Sequence, residues 1–474
     1  MRPLVHFTPE RGWMNDPNGL LERDGVHHLY FQHHPEAVSF GRMRWGHAVS
    51  TDLLTWTEHP SALVPGEGGG YDTDGVWSGC AVPTDGEIAF LYTGVEGERQ
   101  LPCLATAPPS AAGLDRLTRH PGNPVIAAAP TDRTVTEFRD HTVRRVGGLW
   151  HQVIGGASVE GRGSVFGYAS PDLVQWAYRG VLLDAAAWDL PGDVWECPDL
   201  FVVDGRAVLL VSLIGPAEQP VLWIAGELEG DRLVPDAYGL LDLGPRFYAP
   251  QSYLASSGSG PGAGSGTGSG TGPGTGAGAG PARRLMFGWL REQLEPDPGN
   301  RERVGIMTLP RELTVRDGRP ATAPAAEVAA ARSARPFLDV VAGGEGTWPV
   351  PDGVPVACLE LELTLPDAAS LDGVVLTLTG PDGASFEVDL GALVGTSWWS
   401  REAGTGAWQP RREPASSARV VFDAGVVEAF ADSGVAAAWT PVHLARLTEV
   451  GLSAPGPARL RAWPLLENRC GANG

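Results

Sequence analysis

Three observations predict an all-β chain, a five-bladed β-propeller followed by a C-terminal β-sandwich. Short runs alternate apolar and polar residues, turn dipeptides separate them, and one turn-plus-strand unit recurs five times. No long stretch carries helical periodicity. The unit opens at Asp24-Gly25 into His28-Leu29-Tyr30-Phe31-Gln32. It returns at Asp85-Gly86 before residues 88–92, at Gly147-Gly148 before 149–153, at Asp204-Gly205 before 207–211, and at Arg283-Arg284 before 285–289. The first three steps are about 60 residues each. A second echo supports the repeat. Trp45-Gly46-His47-Ala48-Val49-Ser50-Thr51-Asp52-Leu53 runs to Trp56, and Phe166-Gly167-Tyr168-Ala169-Ser170-Pro171-Asp172-Leu173 runs to Trp176. A β-sandwich array would explain the turns but not their period.

In order along the chain, the propeller is expected over 1–318. A Gly, Ser, Thr, Ala and Pro insert at 256–280 interrupts its last blade, too poor in apolar residues to offset its ordering entropy. The boundary falls in the Ala/Pro-rich stretch 316–336, where residues 324–334 read as a short helix or a connector. The sandwich follows over 336–474, read from Leu359-Glu360-Leu361-Glu362-Leu363-Thr364-Leu365, residues 374–378, Val420-Val421-Phe422-Asp423 and residues 426–430.

The 474 residues hold 35 Lys+Arg and 56 Asp+Glu, a formal charge of −21. That balance argues against nucleic acid and anionic membranes as partners, and leaves a neutral ligand such as a sugar unpenalised. Sixteen Trp suit an aromatic β core or sugar stacking, the core being the simpler reading. Cys80, Cys103, Cys197, Cys358 and Cys470 are scattered and odd in number, which fits a reduced compartment rather than a disulfide framework. No signal-like apolar segment or membrane-length span is seen, so a cytoplasmic address is expected.

The chemistry starts at Trp13-Met14-Asn15-Asp16-Pro17-Asn18-Gly19. Pro17 biases Asp16 away from the α region, and Asn18-Gly19 reads as a tight turn. By itself Asp16 could be a nucleophile, a metal ligand or a turn cap. Asp140, in Glu137-Phe138-Arg139-Asp140-His141, and Glu196, in Val194-Trp195-Glu196-Cys197-Pro198-Asp199, lie in two other repeats. Innermost propeller strands line one channel, so these carboxylates can converge there. Glycoside hydrolysis needs two carboxylates flanking one bond, one attacking and the other donating a proton.

These motifs, with Trp45-Gly46-His47-Ala48, Trp77-Ser78-Gly79, residues 307–313 and the flank of Phe430, occur in order. Together they resemble glycoside hydrolase family 32, the β-fructofuranosidases. The resemblance implies a retaining enzyme that releases terminal β-fructofuranosyl units from sucrose or a fructan through a covalent fructosyl intermediate, with no metal or cofactor. It assigns Asp16 as nucleophile, Glu196 as acid/base and Asp140 as transition-state stabiliser, with the Asp16 and Glu196 carboxyls about 5–5.5 Å apart. It assigns Asn15, Gln32, Phe40, Trp77, Ser78, Arg139 and Trp289 to the sugar pocket. Cys197 reads as a small residue packed under Glu196.

Two departures bear on preference. His141 stands where the family usually has Pro, and reads as a tolerated neighbour rather than a substrate contact. Phe40 stands where Trp is common. Arg42 and Arg44 near the mouth are candidates for a phosphate subsite. His27, His28, His33 and His34 match no ligand spacing and read as blade-edge residues. Trp398-Trp399 reads as core or interface packing ahead of sugar stacking. A fructosyltransferase with the same residues, or a non-catalytic sugar-binding propeller, would share the pattern. The sandwich is the candidate surface for a homo-oligomer.

Overall fold

The second strand of each blade forms where the repeat puts it: Val26–His34, Ile88–Glu96, Leu149–Ser158, Arg206–Ile214 and Arg283–Leu290. A computed structural model describes residues 2–66, 70–110, 114–158, 161–215, 220–256, 282–292, 302–354, 357–366, 369–440 and 444–466. The 256–280 insert lies outside these residues except for Ser256, as does Cys470.

Five antiparallel blades surround one axis, and their innermost strands are Gly12–Arg23, Gly75–Pro83, Val135–Val146, Val194–Val203 and Phe247–Ala255. The ring closes where Gly12–Arg23 pairs in parallel with Arg303–Val304, a strand from the last blade's stretch of chain. The third and fourth blades meet through Gly156, which pairs with Trp195. A Cβ there would lie 2.0 Å from the Glu137 carbonyl oxygen on the third blade's own innermost strand, so only glycine lets those two strands approach.

The second echo is one turn used twice. Asp52 Oδ1 accepts from the N–H groups of Leu54 and Thr55, and Asp172 Oδ1 from those of Val174 and Gln175. Leu53 and Leu173 both take positive φ, 63° and 66°, and their carbonyls accept the indole N–H groups of Trp56 and Trp176. Asx-type capping explains why Asp and Trp recur at fixed spacing there.

Asn18-Gly19 is not a tight turn. The run from Asn15 to Gly19 lies inside the strand Gly12–Arg23, which bulges against its partner twice. A bulge absorbs the same Pro and Gly residues that mark turns. The propeller also continues past 318: Asp317-Gly318 is a hairpin turn into one more strand of the fifth blade, Arg319–Pro324. A five-residue helix, Ala326–Ala330, follows.

The sandwich stacks a six-stranded sheet on a four-stranded one. Leu359, Leu361 and Leu363 of Cys358–Thr364 face Leu376, Leu378, Val450 and Leu452 in a shared core. The outward Glu360 is buried too, but Arg332 and Arg419 neutralise it. A sandwich hairpin, Thr396–Arg401 with Trp408–Arg412, adds two strands to the outer edge of the fourth blade. Trp399 stacks on Tyr238 and Trp398 packs near Trp223, so of the core and interface alternatives the pair takes the interface.

Candidate active site

At one level of the channel, the innermost strand of every blade takes in an extra residue. Registers skip at Asn15-Asp16, Ser78, Asp140, Cys197-Pro198 and Ala249-Pro250. Asp140, Cys197 and Ala249 take positive φ, 57°, 48° and 47°. A bulge re-aims side chains that regular pleating would send into the blade. Superposed on the bulges, the strands read Asn15-Asp16-Pro17-Asn18, Trp77-Ser78-Gly79, Arg139-Asp140-His141-Thr142, Glu196-Cys197-Pro198-Asp199 and Tyr248-Ala249-Pro250-Gln251.

The two leading positions build one cavity of about 220 Å³. Its lining takes in all ten residues expected from the sequence, together with Trp13 and Tyr248. The first position supplies Asn15, Trp77, Arg139, Glu196 and Tyr248, and the second supplies Asp16, Ser78 and Asp140. Gln32 reaches in from the neighbouring strand, its amide donating to the Val76 carbonyl at 3.1 Å. Phe40 stands exposed at the rim, edge-on to Trp77. Trp289 meets Trp13 edge-on across the wall.

Each carboxylate is held by named donors. Asp16 accepts from the Ser78 hydroxyl at 2.6 Å and the Asn15 amide at 3.1 Å, and Trp13 in turn donates to Asn15 at 2.9 Å. Asp140 Oδ2 accepts the Cys197 backbone N–H at 3.0 Å. Glu196 Oε1 accepts Arg139 Nε at 2.9 Å and Nη2 at 2.6 Å, and Oε2 accepts the Tyr248 hydroxyl at 2.6 Å. Arg139 also pairs with Glu137. Cys197 does more than pack under Glu196. Its Sγ lies 3.4 Å from both Asp16 Oδ2 and Asp140 Oδ2, bridging the two acids.

Three carboxylates thus surround one guanidinium. Burial raises the Asp16 pKa, the Ser78 hydrogen bond offsets part of that, and Glu196 raises it further. Burial also raises Asp140, Arg139 opposes it, and Glu196 and Asp16 reinforce it. Burial would lower Arg139, but Glu196, Asp140 and Glu137 hold it above its usual value, so it stays charged.

His141 takes the position occupied by Pro in three other blades. It is buried and faces a smaller space below the cavity, so it meets no substrate in the 220 Å³ pocket. Its Nε2 lies 3.2 Å from Thr93 Oγ1, which accepts the Asp140 N–H at 3.0 Å. Burial pushes its pKa down to about 4, leaving it neutral. Arg42 donates to the carbonyls of Thr73 and Pro65, and Arg44 pairs with Glu36. Neither lines the cavity. His27, His28, His33 and His34 bond to Tyr253, His47, the Arg11 carbonyl and the Ser39 carbonyl respectively, with no shared centre.

Tyr248 is the residue that sequence reasoning missed. Its signal was present: Tyr248-Ala249-Pro250-Gln251 repeats the pattern of Glu196-Cys197-Pro198-Asp199 and Asn15-Asp16-Pro17-Asn18.

Residues 6–265 match the Glycosyl hydrolases family 32 N-terminal domain. The chain is 35% identical over 350 residues to a raffinose invertase of Escherichia coli, a match covering 70% of this chain and 66% of that protein. It is 32% identical over 491 residues to a sucrose-6-phosphate hydrolase of Salmonella typhimurium, covering 98% and 93%. A solved Bombyx mori family 32 beta-fructofuranosidase in complex with sucrose superposes with a TM-score of 0.75 at 25% identity, covering 98% of this chain and 94% of that one. The domain match over more than half its length, with a relative of 32% identity aligned nearly end to end, shows that the chain belongs to glycoside hydrolase family 32.

Proposed function

We propose that this protein is a retaining glycosidase that releases terminal β-D-fructofuranosyl units from sucrose or fructans. Asp16 attacks the anomeric carbon and forms a fructosyl ester. Glu196 protonates the departing oxygen, then deprotonates the water that hydrolyses the ester. Asp140 accepts hydrogen bonds from fructose hydroxyls as the ring gains positive charge. Asn15, Gln32, Trp77, Ser78, Arg139 and Trp289 surround the fructose, and Phe40 meets the leaving group at the rim. The observation that carries this reading is the convergence of Asp16, Asp140 and Glu196 from three blades onto one sugar-sized cavity.

A neutral sugar fits better than a phosphorylated one. Among the described residues, the only cation lining the cavity is Arg139, already committed to Glu196 and Glu137. The raffinose invertase relative is named for a neutral sugar, the Salmonella relative for a phosphate ester. No described helix is long and apolar enough to cross a membrane. The free thiols of Cys80, Cys103 and Cys197 support a reducing, cytoplasmic setting.

The test is incubation with sucrose, sucrose 6-phosphate, raffinose, inulin and levan, with products resolved over time. Free fructose from sucrose and raffinose at higher kcat/KM than from sucrose 6-phosphate is expected. No fructose from any of them overturns the activity, and a preference for the phosphate ester overturns the substrate class.

A further inference from the structure

We infer that His47, His59 and Asp115 form a binding site for one divalent transition-metal ion on the outer part of the first blade. His47 and His59 are a cross-strand pair, with ring centroids 5.2 Å apart. Asp115 arrives from the second blade's outer loop, which Tyr30 fixes by donating its hydroxyl to the Leu114 carbonyl at 2.7 Å. Asp115 Oδ1 lies 2.6 Å from His59 Nδ1 and 3.2 Å from His47 Nδ1. One donor atom from each residue can gather within 4.8 Å of the other two.

The decisive residue is His47. It is wholly buried, and its Nδ1 makes no hydrogen bond even though the Asp115 carboxylate stands beside it. Its other nitrogen, Nε2, lies 3.0 Å from His28 Nδ1. A metal-ligating imidazole needs a free lone pair on one nitrogen and an acceptor for the proton on the other. His47 offers both, with His28 as the acceptor, and Tyr30 stacks on the ring at 4.3 Å to fix its plane. Two imidazole nitrogens and one carboxylate oxygen form a donor set for zinc, nickel or copper rather than calcium or magnesium. The partly exposed side chains of His59 and Asp115 give an ion entry and leave room for water as a fourth ligand. None of the three residues lines the reaction cavity. The ion would fasten the hairpin of Arg44–Ser50 and Thr57–Leu63 to the neighbouring blade.

The test uses the full chain, stripped with a chelator, dialysed and titrated with zinc by calorimetry. One saturable site per chain is expected. His59→Ala and Asp115→Asn should each weaken it about 10–100-fold, while His151→Ala on the third blade leaves it unchanged and all three keep sucrose turnover. Absence of saturable binding up to about 1 mM zinc overturns the proposal, as does binding that both His59→Ala and Asp115→Asn leave intact.

Discussion

At the scale of single residues, what each carboxylate touches sets the role proposed for it. Asp16→Ala or Glu196→Ala should reduce sucrose turnover to below about a hundredth of wild type, with an unchanged circular dichroism spectrum. A folded variant that keeps more than that would remove the assigned role. Tyr248→Phe tests the missed residue. It deletes the 2.6 Å hydrogen bond to Glu196 and leaves the ring in the wall. A hydrogen bond to a charged group is worth about 1.5–3 kcal/mol, so kcat should fall roughly tenfold to a hundredfold with little change in KM. An unaltered kcat would make Tyr248 wall alone. The pH profile gives a third test. Asp16 and Asp140 both titrate above the ordinary aspartate range because they are buried among other carboxylates. An attacking carboxylate must be ionised, so the acid limb of kcat/KM should lie above about 3.9. A limb at or below that value would contradict the crowded, buried arrangement.

At the scale of elements, the five bulges are the device that turns a repeat into a site. Gly156 tests their dependence on the close approach of neighbouring strands. Its backbone separates the Arg139 strand from the Glu196 strand, and a Cβ would strike the Glu137 carbonyl. Gly156→Ala should destabilise the chain by about 1–3 kcal/mol and lower turnover together, as read by thermal melting and sucrose assay. Wild-type stability and rate would show that the two strands can part without consequence. Much of this level was legible in the sequence. The five second strands were visible because buried central strands are continuous apolar runs such as Leu29-Tyr30-Phe31, and the carboxylates because their flanking residues are unusual. The innermost strands were harder to read. Bulges admit Pro, Gly and positive φ, so Asn15 to Gly19 read as a turn and Tyr248-Ala249-Pro250 as nothing. The His47–His59 pair was also invisible, since the two side chains are twelve positions apart and only strand register brings them together. Asp115 comes from another blade.

At the scale of the whole molecule, propeller and sandwich are locked by a buried ionic cluster. The N–H groups of Leu4, Val5 and His6 donate to Asp423, and His6 lies between Asp423 and Glu428. Arg311 joins Glu428 to Asp242, and its guanidinium sits over the rings of Phe247 and Phe430. Burial alone would lower the His6 pKa, but its hydrogen bonds to Asp423 and Glu428 raise it to about 9. A raised histidine stabilises the fold fully below its unfolded value, about 6.5, and that contribution is lost as pH climbs through the folded value. The melting temperature should therefore fall between pH 6.5 and 9, and His6→Gln should flatten that decline from a lower starting point. Equal slopes in both proteins would mean the cluster does not titrate with folding. The ring of blades brings Asp16 and Glu196, remote in sequence, to one cavity, where the proposed mechanism gives them distinct tasks. The most direct test is to react the enzyme with sucrose, quench in acid during turnover and map the peptides by mass spectrometry. One added anhydrofructose is expected on the peptide carrying Asp16, absent from Asp16→Ala and more abundant in Glu196→Ala supplied with an activated fructoside. An adduct on the Asp140 peptide, or none while fructose is being released, would contradict the proposed mechanism.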